Sequence, residues 1–291
     1  MYTRPSRPED IPAQRQLWQL AFGDDGAYVD NFYRTYYRPE RVLVLEEKGL
    51  VRSMTAWFDT TFVLPGRGEF RAAYLYAVST HPECRGKGLA ARLLADADDY
   101  FRSLNIPAVT TVPAQPSLHS FFAANGFREC FRHFEGTLAS EELPSLGEPV
   151  LRRAAPGEYG QMREKLLSHL PHIAYPEEAL RYQEGCCALG TGGLFTGDTS
   201  DGPVCLCAEE AGGGTVILKE FLGQPSACRL ALSDLARVVP ARRWLVRTPR
   251  SEGESPANRT MGQFGMLKWL SPELEGEWNW SSTAYLGLAF D

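Results

Sequence analysis

A basic, glycine-containing turn is the part of the sequence whose residue types best fit ligand binding. Residues 78–90 read VSTHPECRGKGLA. A helix that begins after such a turn has no helical partners for its first backbone N–H groups, and these groups and the helix dipole favour phosphate oxygens. Arg85 and Lys87 add positive charge. Because the spacing is neither that of a P-loop nor Gly-x-Gly-x-x-Gly, we predict another kind of phosphate-binding turn, with a purely structural turn as the alternative.

The segments around this turn predict alternating strands and helices. A strand over Ala72–Thr80 leads into the turn, and an amphipathic helix from about Leu89 to Leu104 leaves it. Upstream, a Ser6-x-x-Glu9 capping box predicts an opening helix that ends near Phe22. The remaining predicted elements of the first half are a hairpin over 42–46 and 51–58, a strand over 107–112, a short helix over 117–124 and a strand from Phe127.

Two motifs in this order carry a resemblance to a known family. Arg85-x-x-Gly88-x-Ala90 resembles the Arg/Gln-x-x-Gly-x-Gly/Ala signature of the GCN5-related N-acetyltransferase (GNAT) superfamily, which binds acetyl-coenzyme A. The segment SLHSFFAANGF, residues 117–127, is similar to the family's Leu-Tyr-x-x-x-Gly-Phe ending. The resemblance covers about residues 1–135. The whole chain is also similar to bacterial proteins in which a second, degenerate acetyltransferase-like domain follows.

The resemblance implies acetyl-coenzyme A as the cofactor and places its contacts. In the family, the pantetheine lies where two strands splay apart after the fourth strand, and the pyrophosphate binds backbone N–H groups of the turn. Gln115 stands where family members often have an Asn, so Ser117 is either a cofactor contact or a plain helix cap. The cofactor-binding residues implied are Val78, Ser79, Thr80, Arg85, Gly86, Lys87, Gly88, Leu89, Ala90, Ser117 and Phe122.

Acetyl transfer to an amine needs deprotonation of the amine, polarisation of the thioester carbonyl and protonation of the leaving thiolate. The family's usual proton donor is a Tyr, and the matching position here is Phe122. Tyr74 and Tyr76, on the predicted fourth strand, are the nearest hydroxyls by sequence, and aromatic packing on the sheet is the alternative for at least one of them. His119 is a further candidate for the cleft, with a surface or core-edge position as the alternative.

The motif contains no evident general base, because Ala72 stands where some family members carry a Glu. A chain of waters or a carboxylate from the second half is the expected substitute. Glu220 is one candidate. Asp291 is the other, by analogy with distant relatives whose chain terminus enters the active site, and a terminal strand over Tyr285–Asp291 that only completes a sheet is the alternative.

The second half repeats the element order of the first at an offset of about 140 residues. A region without periodicity over Ala139–Pro149 separates the two, which predicts domains over 1–138 and 150–291. Because the turn after Phe221 reads LGQPSAC and lacks the glycines of the first, we expect no cofactor there. Trp278 and Trp280 are expected in the core or at the acceptor site. The remaining predicted segments are helices near 157–170, 176–187 and 226–239, strands over 204–209, 215–222 and 244–248, and a Gly-rich stretch without pattern over 190–202.

Composition narrows the function classes. The 291 residues suggest two domains, and 30 basic against 36 acidic residues, a net charge of −6, give no electrostatic reason to expect nucleic acid. No apolar run approaches the ~20 residues that span a bilayer, and no leader is evident, so we expect a cytoplasmic protein, monomeric or homodimeric. The seven cysteines include an adjacent pair and no zinc spacing, which favours reduced, buried thiols.

Together these observations predict an α/β (α+β) protein of two tandem acetyltransferase-like domains, each a mixed, mostly antiparallel sheet flanked by helices. The expected function is transfer of an acetyl group from acetyl-coenzyme A to an amine of a small molecule or peptide. The alternative is a non-catalytic acyl-coenzyme A sensor or interaction protein that keeps the fold. No metal is expected.

Overall fold

The computed structural model describes residues 1–144, 147–249 and 260–290. Contacts between residues divide the chain into two compact units. The first unit consists of Met1–Phe62, Glu69–Glu129 and Gly265–Ser281, and the second of the described residues within Val63–Gly68, Cys130–Phe264 and Ser282–Asp291. Each unit therefore takes most of its residues from one half of the chain, and the first also takes a segment from near the end.

The first unit is a mixed sheet with helices on its faces. Strand β1 pairs with β2 and β2 with β3, both antiparallel, whereas β4 and β5 are parallel and are connected through helix α3. The bounds are β1 Tyr2–Pro5, α1 Ile11–Phe22, α2 Gly26–Thr35, β2 Val42–Glu47, β3 Leu50–Leu64, β4 Gly68–Thr80, α3 Leu89–Ser103, β5 Ala108–Thr111 and α4 Leu118–Ala124.

Two apolar layers cover the sheet of the first unit. The face of β4 that carries Ala73 and Leu75 packs against the buried side of α3, formed by Leu93, Leu94, Ala97 and Phe101. The 3.6-residue spacing of these apolar side chains explains why α3 forms and which side it buries. Aromatic rings on α1, α2 and β3 form a second cluster with Tyr74 and Tyr76 of β4.

The second unit repeats the parallel crossover. Strands β11 and β12 are parallel and are connected by helices α7 and α8, β10 pairs with β11 and β9, and β7 pairs with β9. The bounds are β6 Arg128–Ala139, β7 Leu151–Arg153, α5 Pro156–Leu167, β8 His172–Ala174, α6 Glu177–Cys187, β9 Gly193–Thr199, β10 Gly202–Gly212, β11 Thr215–Gly223, α7 Pro225–Leu232, α8 Leu235–Val238 and β12 Arg243–Thr248. The chain then returns to the first unit at Gly265, within β13 Thr260–Trp269, and continues there with α9 Pro272–Glu277.

Strands β6 and β13 each pair with a strand from the other half of the sequence. Strand β6 follows α4 in the chain but pairs antiparallel with β12, from Arg243↔Ala139 to Thr248↔Phe134. Strand β13 follows β12 but pairs antiparallel with β5, from Met266↔Thr111 to Trp269↔Ala108. The sheet of the first unit is thus completed by residues near the end of the chain.

Several sequence-based assignments need correction. Helix α2 and strands β1 and β13 were not predicted, and the Gly-rich stretch predicted to lack pattern contains strand β9. The single helix expected over 226–239 is divided into α7 and α8 at Ser233 and Asp234. The expected terminal strand is wrong for the described residues: Ala284 and Tyr285 form isolated bridges, and Ala289 and Phe290 have left-handed backbone angles that end an extended segment.

The capping box at the start of the chain is one residue later than predicted. The Arg7 N–H donates to Asp10 Oδ2 at 2.7 Å, whereas Ser6 Oγ lies 2.7 Å from the Tyr37 hydroxyl. Six of the seven cysteines are buried, and the seventh, Cys228, is half-buried. In the described ranges, no helix is both long and apolar enough to cross a membrane.

Candidate functional site

The parallel pairing of β4 and β5 stops before β4 ends. The last pair is Leu75↔Thr111, and β4 continues alone on this side from Tyr76 to Thr80. Ala77 has φ +50°, a left-handed backbone angle within a strand, which costs energy for a residue with a Cβ. This angle lies two residues beyond the last β4–β5 pair, in the part of β4 that extends past the end of β5. We call the edge of β4 over Tyr76–Thr80, beyond the end of β5, the opening.

The other side of this β4 segment is fixed by β3. Ser53 Oγ donates to the Ser79 carbonyl at 2.7 Å and lies 2.8 Å from Thr80 Oγ1, and the His81 N–H donates to the Arg52 carbonyl at 2.9 Å. Within the described residues, Ser79 Oγ is buried without a hydrogen-bond partner. The end of β4 is thus held on one side and open on the other.

The basic turn after β4 has the conformation expected of an anion site. Gly86 and Gly88 both have φ +74°, and a Cβ at either position would meet no atom within 4 Å. Gly88 caps α3, and the first helical bond is donated by Arg92 N–H to the Gly88 carbonyl at 3.0 Å. The N–H groups of residues 89–91 therefore precede the first helical donor and face an exposed turn.

The side chains of the turn reinforce its backbone. Arg85 Nε donates to the Thr80 carbonyl at 3.2 Å, and Lys87 Nζ donates to the Glu83 carbonyl at 2.9 Å. Leu89 is buried in the core cluster of α3, whereas Ala90 is half-buried. Both cationic side chains are therefore bonded to backbone carbonyls at the edge of the turn.

Tyr74 and Tyr76 project from the same face of β4, since residues two apart in a strand do so. Tyr74 is 2% exposed, and its ring stacks on Phe58 with centroids 6.2 Å apart. Tyr76 is half-buried and lies at the opening, and its ring contacts Trp18 at 5.2 Å and Phe58 at 5.3 Å. Of the two predicted hydroxyls, Tyr76 is the one that reaches the opening.

Tyr28 is a hydroxyl that the sequence did not single out. Its Oη lies 2.9 Å from Tyr76 Oη, and Tyr28 is half-buried on α2. A sequence signal for helix α2 was available. Asp25 precedes the helix and caps it, with Oδ1 accepting from Ala27 N–H at 2.7 Å. Tyr28 and Phe32 follow with the four-residue spacing that places two side chains on one helical face.

Three candidate residues on or next to α4 differ in burial: Phe122 is buried, Ser117 is exposed and His119 is half-buried. Phe122 is 4% exposed and packs in the core, with its ring 5.4 Å from that of Phe127. Ser117 is exposed at the start of α4 and makes no side-chain capping bond. His119 Nδ1 lies 2.6 Å from Glu129 Oε1, which places it at the core edge, as one of the two alternatives had it.

In the second unit, the strand matching β4 carries a buried ion pair. Arg163 Nε donates to Glu220 Oε1 at 2.9 Å, the Tyr159 hydroxyl donates to the same oxygen at 2.5 Å, and Glu220 and Arg163 are both fully buried. Burial and the nearby Glu220 carboxylate raise the pKa of Tyr159 well above its usual value. Arg163 also donates to the Leu286 carbonyl at 3.2 Å, so Glu220 lies in a closed cluster with the terminal segment.

The turn after β11 does not repeat the open turn after β4. Gly223 has φ +150°, and a Cβ there would lie 2.8 Å from Val204 Cγ1 and 3.2 Å from Cys228 Sγ. Packing against β10 and α7 therefore requires this glycine, in contrast to Gly86 and Gly88, which border open space. Cys205 and Cys207 are fully buried, and no group of three possible metal ligands occurs in the described part of the chain.

The tryptophans near the end of the chain pack in the first unit. The Trp278 ring lies 5.4 Å from Phe62 and 6.5 Å from Trp269, and Trp278 is 7% exposed. The Arg128 guanidinium stacks over the Trp280 ring at 3.9 Å. Core packing, one of the two alternatives for these residues, describes Trp278. Asp291 lies outside the described residues.

Comparison with known proteins agrees with this geometry. Residues 2–127 match the model of the acetyltransferase (GNAT) domain family. None of the curated proteins matches the chain.

Solved structures extend the likeness over nearly the whole chain. A GCN5-related N-acetyltransferase from Anabaena variabilis has a TM-score of 0.72 at 14% identity, covering 93% of this chain and 73% of that one. A probable N-acyltransferase from Enterococcus faecalis has a TM-score of 0.71 at 13% identity, covering 92% and 72%. A tandem GNAT protein from the clavulanic acid biosynthesis pathway has a TM-score of 0.53 at 14% identity, covering 93% and 99%.

At these identities the structural likeness is one of fold. The family match adds the domain that contains β4, the basic turn and α3. Residues 2–127 thus match the GNAT acetyltransferase domain family, and the chain as a whole shares its fold with a tandem GNAT protein.

Proposed function

We propose that the protein is an acetyl-coenzyme A-dependent N-acetyltransferase that acts on an amine of a small molecule or peptide. The observation that carries the proposal is the turn at the start of α3, where two left-handed glycines border open space beside helical N–H groups that precede the first helical donor. A cradle of this kind fits a pyrophosphate, because its donors are fixed and no side chain blocks their approach.

The opening beside β4 fits the rest of the cofactor. Val78, Ser79 and Thr80 lie beyond the last β4–β5 pair, so backbone groups on that edge can bond to an extended chain that adds to the strand. The Ser79 and Thr80 carbonyls already accept from Ser53 Oγ and Arg85 Nε. When bound, acetyl-coenzyme A supplies the acetyl group in activated form as a thioester. In this proposal, the turn from Arg85 to Ala90 holds the phosphates and Ser117 lies at the edge of the site.

The chemistry left to the protein is proton transfer and positioning. Phe122 has no proton to give, and its ring belongs to the core. Tyr76 is half-buried in the part of β4 that extends past β5, and we assign to its hydroxyl the proton that the leaving thiolate takes up. Tyr74 supports the Tyr76 ring, with centroids 6.4 Å apart, and water is assigned as acceptor of the amine proton.

The second half is proposed to take no cofactor, with residues 1–138 carrying the transfer site and 150–291 a degenerate domain. The support is the crowded Gly223 and the enclosed Glu220, which is bonded to Arg163 and Tyr159. A carboxylate in a closed ion pair is a poor general base, because its charge is already neutralised.

The first test measures cofactor binding. Gly88→Val places a β-branched side chain at a left-handed position in the turn, so calorimetric titration with coenzyme A is expected to show at least a tenfold loss of affinity. Gly49→Val is the matched control, because Gly49 has φ +77°, with no atom within 4 Å of a Cβ, in the turn between β2 and β3. Equal affinities of the two variants would contradict the pyrophosphate assignment.

The second test measures the reaction. The protein is mixed with acetyl-coenzyme A and a panel of primary amines and peptides, and release of free thiol is followed. Acceptor-dependent release is expected with at least one amine class. Tight binding of coenzyme A with no such release across the panel would instead support the acyl-coenzyme A sensor.

A further inference from the structure

The hydroxyl of Tyr28 lies in direct hydrogen-bond contact with the hydroxyl assigned as proton donor. The two phenolic oxygens are 2.9 Å apart, and either can be the donor. Tyr28 comes from the first turn of α2, whereas Tyr76 comes from the end of β4. Both residues are half-buried, so the pair is in part reachable from outside the core.

The ring of Tyr76 is fixed by its neighbours. It lies 5.2 Å from Trp18 in an edge-on arrangement, 6.2 Å from Phe32 and 5.3 Å from Phe58, and these three residues are at most 1% exposed. Aromatic contacts of this kind restrict rotation of the ring. The phenol oxygen of Tyr76 therefore has one preferred position, with the Tyr28 hydroxyl beside it.

Helix α2 also fixes the position of Tyr28. The Asp25 side chain caps the helix, and Phe32, one turn after Tyr28, is fully buried. Tyr33 on the same helix donates from its hydroxyl to Gln14 Oε1 at 3.1 Å. The start of α2 is therefore anchored on both sides of Tyr28, and the hydroxyl pair does not depend on a loose loop.

We propose that Tyr28 is a positioning residue that acts through Tyr76, an inference that rests on the proposed function. The amine nitrogen forms a bond to the carbonyl carbon, the carbon–sulfur bond breaks, and its electron pair stays on sulfur, which takes the proton of Tyr76 Oη. Tyr28 donates a hydrogen bond to the Tyr76 phenolate that forms and then transfers its own proton to it. Tyr28 regains a proton from water. The amine loses one proton to water, so protons balance.

The pair takes the role of the single tyrosine that Phe122 replaces. A lone phenol that gives up its proton leaves a negative charge at an apolar surface, which costs free energy. A second phenol at 2.9 Å offsets that cost, since hydrogen bonds to charged groups are stronger than neutral ones. The donor is therefore built from two elements, β4 and α2, instead of from α4.

Binding alone tests the contact with sulfur. The affinities of coenzyme A and desulfo-coenzyme A are measured by calorimetry, and their ratio reports the contact made by the thiol. We expect the wild-type protein to bind coenzyme A about fivefold more tightly than desulfo-coenzyme A, which is the affinity ratio expected from the net free energy of one hydrogen bond. The preference is expected to vanish in Tyr76→Phe and to fall at least twofold in Tyr28→Phe.

Tyr33→Phe is the matched control. It removes a phenol hydroxyl from the same helix, but that hydroxyl is bonded to Gln14 and not to Tyr76. The preference for coenzyme A is expected to stay at the wild-type value. A wild-type protein that binds both ligands equally, or a Tyr28→Phe variant that behaves like Tyr33→Phe, would overturn the inference.

Turnover supplies the second readout. With acetyl-coenzyme A and the best amine of the panel, Tyr76→Phe is expected to lower kcat by about a hundredfold, and Tyr28→Phe by about tenfold, with KM for acetyl-coenzyme A changed less than twofold. If Tyr28 acts through Tyr76, the double variant has the kcat of Tyr76→Phe alone. Losses that multiply in the double variant would show that Tyr28 acts separately.

The two proposals fail in different ways. If neither coenzyme A nor desulfo-coenzyme A binds the wild-type protein, the proposed function and the inference built on it both fall. If both ligands bind and the Tyr28 and Tyr76 variants leave their ratio unchanged, only the inference fails. The binding ratio decides the role of the hydroxyl pair even for an amine panel that contains no acceptor.

Discussion

At Gly287 the backbone passes so close to two buried side chains that a side chain does not fit. Gly287 has φ +81°, and a Cβ there would clash with Glu220 Oε2 and lie 2.8 Å from Arg163 Nη2. Tyr175 Oη and Arg163 both donate to the carbonyl of the preceding Leu286. The terminal segment is thus attached to α5 and β11 through a buried charged cluster.

Gly287→Ala is expected to lower the free energy of unfolding by about 2–4 kcal/mol, because it combines backbone strain with a disturbed buried ion pair. Gly212→Ala is the matched control. Gly212 has φ +78° and no atom within 4 Å of a Cβ, so only the strain of about 1 kcal/mol is expected. Urea unfolding of both variants gives the comparison, and equal losses would mean that the cluster tolerates the methyl group.

At the scale of elements, a salt-bridge network joins the first strand, the first helix and β2. Arg4 on β1 donates to Asp10 Oδ2 at 2.6 Å and to Oδ1 at 2.9 Å, and it also reaches Glu46 on β2 at 2.8 Å. The hydrogen bond from Arg4 lowers the pKa of Asp10 below its ordinary value. The start of α1 is therefore fixed to the edge of the sheet by charge.

The lowered pKa of Asp10 makes its contribution to the free energy of unfolding depend on pH. Because the folded-state pKa of Asp10 is lower than the unfolded one, its contribution is complete above the unfolded value near 3.8 and disappears as the pH falls through the folded value. Asp10→Asn is expected to cost about 1–3 kcal/mol at pH 7 and progressively less below about pH 4. Urea midpoints across that range measure the difference.

The control for this prediction is Asp59→Asn. Asp59 accepts from Arg41 Nε at 2.9 Å, and its side chain is 45% exposed, so its removal is expected to cost less than about 1 kcal/mol. A cost of Asp10→Asn that is independent of pH would contradict an electrostatic origin.

The elements that the sequence predicts well are those whose signal is local. Helix α3 has a regular apolar face, and the glycines at 86 and 88 do precede it with left-handed angles. The turn for which we propose phosphate binding was therefore readable in its conformation from residue types and spacing. Helix α2 was not, because its aromatic residues are typical of strands as well, and the Tyr28–Tyr76 contact joins residues 48 positions apart.

Strand β9 shows why glycine-rich segments mislead. A Cβ at Gly197 would clash with the Val150 carbonyl, and one at Gly193 would clash with the Arg153 guanidinium. These glycines allow close approach within a sheet, which is a tertiary requirement, and they do not mark a loop. Sequence periodicity carries no information on such a neighbour.

At the scale of the whole molecule, the first unit is completed by residues 265–281. Strand β13 covers the edge of β5, and Lys268 on β13 forms an ion pair with the buried Asp98 and donates to the Asn125 carbonyl at 2.7 Å. The segment thus supplies both backbone pairing and a charge to α3 and α4. Neither contribution was readable from the first half of the sequence.

A fragment of residues 1–138 is therefore expected to unfold without a cooperative transition, because β5 lacks its antiparallel partner. Residues 1–129 joined through a flexible Gly/Ser linker to residues 260–281 are expected to regain cooperativity. Circular dichroism during urea titration compares the two. A sharp transition in the fragment of residues 1–138 would show that the first domain does not need β13.

The pairing of β5 with β13 also delays completion of the first unit during synthesis. Residue 108 of β5 pairs with residue 269, so at about 5–20 residues per second the ribosome needs roughly 10–30 s more before the partner of β5 exists. During that interval β5 presents an unpaired edge to other nascent chains. Chaperone dependence and aggregation of this protein are therefore expected to be decided by translation speed over its second half.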